Sequence, residues 1–131
     1  PKIGLSWVMT KGITIVLIIV LTLVVILNTD KAYTFYNFGL LLLLLLYSLI
    51  TKNAELSTFY ISFVAILIPF FIVNGILTGS FIDDPVVWYN NDENLGIRLG
   101  TIPIEDVGYA FSLIFLNIIL IEKFKRHSYM K

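Results

Sequence analysis

Glu105 and Asp106 stand side by side where a long apolar run begins, with Pro103 just before them. Carboxyl groups hold, give and take protons, and an ionisable group inside a membrane span is costly enough to mark function. The motif reads as a helix start. Proline at the first helical position costs no hydrogen bond, and carboxylates in the first turn complement the positive end of the helix dipole. At 1.5 Å per residue the pair lies about 3 to 5 Å inside the span. Tyr109 and Ser112 follow Glu105 on one helical face, while Asp106 leads through Leu113 to Asn117. Asn74, near the end of the preceding apolar run, falls at a similar depth. An outer polar cluster of Glu105, Asp106, Tyr109, Asn74 and Thr78 is therefore expected, covered by Trp88 and Tyr89. Other readings stay open. The carboxyls can be water-facing caps, Trp88 and Tyr89 interfacial belt residues, and Asn74 and Asn117 helix–helix hydrogen-bonding groups.

The rest of the chain must place these groups, and its composition says in what medium. Of 131 residues 58% are hydrophobic and only 14% charged, with a mean hydropathy of +0.91. Soluble chains carry about a quarter charged residues, so this is an integral membrane protein. The expected fold is all-α, a bundle of four transmembrane helices. The spans are 13–27, 34–50, 58–78 and about 102–121, each near the roughly 20 residues that cross a bilayer core. Pro69 falls inside the third span, where it is expected to bend the helix. No small-x-small cleavage pattern follows Leu27, which argues against a signal peptide.

Seven of the nine Lys and Arg residues fall on one side of these spans: Lys2, Lys11, Lys52, Lys123, Lys125, Arg126 and Lys131. Lys31 and Arg98 take the other side. The positive-inside rule then puts the C-terminal tail in the cytoplasm; a bacterial cytoplasmic membrane is the expected location. The basic tail also suits contact with anionic lipid. There is no cysteine, and the single histidine, His127, lies in the tail. Disulfide and thiolate chemistry are thus excluded on residue types, and with one histidine in the tail no metal site is expected. Gly96 and Gly100 bracket a segment without the third glycine or the preceding strand of a nucleotide loop. Nothing points to nucleic acid.

Trp88-Tyr89-Asn90, the run from Leu95 to Asp106 (LGIRLGTIPIED), Tyr109 to Leu113 (YAFSL) with Asn117 and Glu122, and Val73 to Thr78 (VNGILT) together resemble the membrane-embedded carotenoid (lycopene) cyclase family. The likeness is to the heterodimeric or fused type without flavin. It covers residues 58–122 closely and 1–57 by hydropathy alone. Ile121 departs from it, standing where the family often has an aromatic.

The resemblance implies a linking helix and turn at 1–33, a three-helix repeat at 34–122 and a basic cytoplasmic tail at 123–131. A homologous N-terminal repeat, on the same or a partner chain and absent from a sequence that opens with Pro1, would complete it. It also implies a lycopene-like substrate arriving through membrane lipid, and proton-initiated cyclisation of its open end without cofactor. Desolvation that favours a neutral carboxyl serves such chemistry. Glu105 becomes the proton donor and Asp106 its orienting partner or the final base, the reverse being possible. Trp88, Tyr89 and Tyr109 become cation-stabilising rings, and Asn74 a hydrogen-bond partner of the neutral acid. A C50 carotenoid cyclase or a carotenoid hydratase would use the same acid. A non-catalytic membrane scaffold subunit needs none.

Overall fold

A computed structural model describes residues 3–129. Pro1, Lys2, Met130 and Lys131, to which the sequence reading gave parts in topology or provenance, lie outside the described residues. Four helices are present: α1 (Trp7–Leu27), α2 (Ala32–Ile50), α3 (Glu55–Leu77) and α4 (Ile104–Tyr129). All four are long and apolar enough to cross a membrane. The all-α membrane bundle is therefore what the chain forms, apart from one short hairpin between α3 and α4.

Three boundaries differ from the hydropathy reading. α1 starts six residues before the apolar run, because the Ser6 side chain accepts a hydrogen bond from the Met9 amide and caps the helix there. Lys11 and Gly12 are thus helical. α4 does not end near Ile121 but carries the basic segment on as helix to Tyr129, with Arg126 and His127 in its last turn. Cations there complement the negative end of the dipole; hydropathy marks where a span ends and not where its helix does. Pro103 is not the first helical residue. It pairs with Arg98 across a two-stranded ladder, β1 (Arg98–Leu99) and β2 (Ile102–Pro103), and α4 begins at Ile104. The two-residue loop, Gly100-Thr101, has its glycine at φ +66°. Glycine at the first central position is the requirement of a type II′ hairpin turn.

α2 packs against both α1 and α4, and α3 closes on α4 and α1. The core between α3 and α4 is aromatic. Phe59 stacks on Phe115 at 5.0 Å between ring centroids, and Phe63 meets Phe111 edge-on at 5.0 Å. Phe115 and Leu45 are fully buried. Close approach of α2 and α4 rests on Gly108: a Cβ there would stand 2.8 Å from the Phe38 ring. α3 runs through Pro69 without ending. Thr14 of α1 hydrogen-bonds the Tyr60 hydroxyl of α3 at 2.8 Å, a polar tie inside an apolar bundle.

Candidate active site

The chain returns after each crossing, so α2 and α4 both start at the same end of the bundle. There the 78–103 loop lies across the two helix starts. Lys31 gives α2 no side-chain cap, and Glu93 of the loop supplies one. Its carbonyl accepts from the Tyr33 and Thr34 amides at 2.9 and 3.3 Å, and its carboxylate accepts from the Ala32 amide at 3.1 Å. Orphan amides at a helix start need such partners. By meeting that need, Glu93 also fixes Asn94 and Leu95 beside the first turn of α4.

Both carboxyls sit in that first turn and both are buried, Glu105 at 0% and Asp106 at 5% exposure. A cap in open water is excluded. Glu105 Oε1 accepts two hydrogen bonds, from the Thr34 hydroxyl at 2.6 Å and the Leu95 amide at 2.8 Å. Its Oε2 has no partner. Asp106 is held differently. Tyr33 donates to Oδ1 and Tyr89 to Oδ2, each at 2.5 Å. Consecutive residues of α2, Tyr33 and Thr34, thus hold consecutive carboxyls of α4. The Tyr33 and Tyr89 rings lie 5.7 Å apart, and the Arg98 guanidinium sits 5.8 Å from the centre of the Tyr89 ring. Burial, and then the hydrogen bond to Asp106, push the Tyr89 hydroxyl above its ordinary pKa. It stays a neutral donor. Asn94 Nδ2 and Ser112 Oγ, also buried, have no partner either.

Two cavities flank this cluster. One of about 650 Å³ opens beside the α2 start, its wall formed by Tyr33, Tyr36, Asn37, Leu40, Glu93 and Tyr109. The other, about 500 Å³, lies among the four helices and is walled almost wholly by aliphatic and phenylalanine side chains. Both are of a size for small-molecule ends, and both are oily.

The structure gathers Glu105, Asp106 and Tyr89, and puts Tyr109, 52% exposed, on the wall of the larger cavity. Pro103, buried, ends the hairpin that leads into α4. Two expected members lie apart. The Asn74 amide donates to Phe70 of its own helix at 3.0 Å, and neither bond that Glu105 accepts comes from it. Thr78 turns to Thr101, at 2.6 Å. Trp88 is 81% exposed and does not cover the carboxyls. Tyr33, Thr34, Asn94 and the Leu95 amide were not foreseen. For the first two a pointer existed: in four alternating spans, the starts of the second and fourth meet at one membrane face. Among the described residues no three carboxylate or histidine side chains group as a metal site.

No curated protein and no solved structure matches the chain. The family model described as Lycopene cyclase matches residues 30–124, a span that takes in α2, α3, the hairpin and the spanning part of α4, with every group of the carboxyl cluster. Residues of the resemblance, the membrane bundle and the family match converge, and the chain belongs to the lycopene cyclase family, with the general carotenoid cyclase activity and carotenoid substrate that membership supports.

Proposed function

We propose that the chain closes an end ring on a lycopene-like polyene, with Glu105 as proton donor and Asp106 as the ionised partner that receives the final proton. The observation that carries this division is the unequal hydrogen bonding of two neighbours. Asp106 accepts a phenol O–H at each oxygen, the pattern of a carboxylate, which has acceptors only. Glu105 has both donors on one oxygen and leaves the other bare in a buried site, where a transferable proton belongs. Glu105 protonates C2 of the open end, the C5=C6 double bond attacks the C1 cation, and the C5 cation left by ring closure loses the C6 proton. No electrons are gained or lost, so a redox cofactor is not consumed.

The end group is taken to seat in the 650 Å³ cavity, whose wall holds Tyr109, one helical turn from Glu105; Glu105 itself, fully buried, is not part of that wall. The Tyr109 ring can stabilise cationic charge where water is excluded, while Tyr89, off that wall, serves by holding Asp106. Trp88 and Asn74 stand apart from the cluster, so a further group on the cation or the acid comes from outside it. A second, homologous repeat is the proposed source of that group, with α1 the helix that links to it and the C-terminus on the cytoplasmic side of the membrane.

The test is Glu105→Gln in the full-length protein in membranes that hold lycopene. Gln keeps the shape and removes the proton. Ring formation should fall at least about 100-fold, the lower bound for losing a positioned general acid, with the protein still in the membrane. Wild-type conversion would remove the assignment. Product identity then separates cyclisation from hydration, which would leave a tertiary alcohol, and from C50 ring formation.

A further inference from the structure

Neither Glu105 nor Asp106 is on the cavity wall, but Tyr33 is. Tyr33 is a residue of the 650 Å³ cavity wall, and it donates its hydroxyl hydrogen to Asp106 Oδ1. Tyr89, the other phenol on Asp106, is not part of that wall. A cation formed in the cavity therefore meets Tyr33 before it meets the carboxylate. We propose that Tyr33 is a catalytic residue, the group that takes the last proton from the cyclised cation and passes its own to Asp106, and that its position decides which hydrogen leaves and so which ring isomer forms.

The step balances. In the β-type outcome the C6–H bond breaks and its electron pair becomes the C5=C6 double bond. The proton arrives on the Tyr33 oxygen as that oxygen releases its original proton to Asp106. Tyr33 ends unchanged and Asp106 ends protonated. The same cation can instead lose hydrogen from C4 or from the C5 methyl group, which gives an ε- or a γ-type ring. The three hydrogens differ in position by no more than a few bonds, so the place of the accepting oxygen selects among them. Tyr33 is well fixed for this. Its amide is held by the Glu93 carbonyl, its hydroxyl by Asp106, and its ring rests against Tyr89.

This inference rests on the cyclase reading above, and the experiment keeps the two apart. Tyr33→Phe, Tyr89→Phe and Glu105→Gln are compared in the full-length protein for membrane content, total rings formed and the ratio of ring isomers. Tyr33→Phe should lower the yield and shift the isomer ratio away from that of the wild type. Tyr89→Phe, which removes an equal hydrogen bond to Asp106 from a residue off the cavity wall, should lower the yield and keep the ratio. A merely structural Tyr33 would lower the yield at constant ratio, and that result, or an equal shift in both variants, overturns the proposal. If Tyr33→Phe makes no ring or does not accumulate, 3-fluorotyrosine at position 33 preserves size and hydroxyl while changing its acidity. An altered rate or ratio then supports the relay, and wild-type values for both overturn it. Wild-type conversion by Glu105→Gln would instead remove Glu105 as the acid, and absence of any ring from the unaltered protein would sink the cyclase reading itself.

Discussion

Thr34 donates to the Glu105 oxygen that also takes the Leu95 amide, and so leaves the other oxygen without a partner. A threonine hydroxyl with no other duty is a sensitive place to test orientation. Thr34→Val keeps the volume and deletes the donor. A hydrogen bond of this type to a neutral or charged group is worth about 1 to 2 kcal/mol, so the turnover rate should drop roughly 5- to 30-fold. The KM for the polyene should stay near its wild-type value, as measured in lipid vesicles. The carboxyl pair itself was legible from types and position, because charge at the start of an apolar span needs a reason. Its hydrogen-bond partners were not. Tyr33 and Thr34 lie more than 70 positions away from Asp106 and Glu105, and only the crossing order of the helices brings them together. An aromatic at the edge of a span, such as Tyr33, is also of the type that fills interfacial belts.

Among the elements, α2 and α4 carry the site, and their spacing is set where Phe38 lies over Gly108. Gly108→Ala puts a methyl group 2.8 Å from that ring, closer than real contacts allow. Over-packing of this kind costs about 1 to 3 kcal/mol. Thermal unfolding in detergent should show the loss, and Phe38→Leu in the same chain should recover part of it. Failure of the second change to help would mean that the strain lies elsewhere. The helices were legible because long apolar runs have few other uses. Their ends were not, since Ser6 sets the start of α1 and the basic tail extends α4 beyond the oil. The hairpin was missed for a further reason. Two-residue strands have no periodicity, and only the Gly100-Thr101 turn marked them. What the hairpin does is now clear: it delivers Ile104 into α4 by a hydrogen bond to the Ile97 carbonyl, which sets the register at which Glu105 and Asp106 enter the membrane.

For the whole molecule, the distribution of Lys and Arg gives an orientation that labelling can check. The chain has no cysteine, so Asp92→Cys and Ser128→Cys each provide a single thiol. An impermeant thiol reagent added to intact cells should modify position 92 and not 128, and the reverse labelling would invert the proposed topology. A half-lined site with an open cavity also suits completion by a second repeat. The deepest commitment, however, is that the ring is started by a proton that the protein hands to carbon. Full-length protein, in membranes equilibrated with D2O and supplied with lycopene, should yield product with one deuterium per ring, on the C2 carbon. Rings formed at the normal rate with no deuterium at C2 would contradict the account.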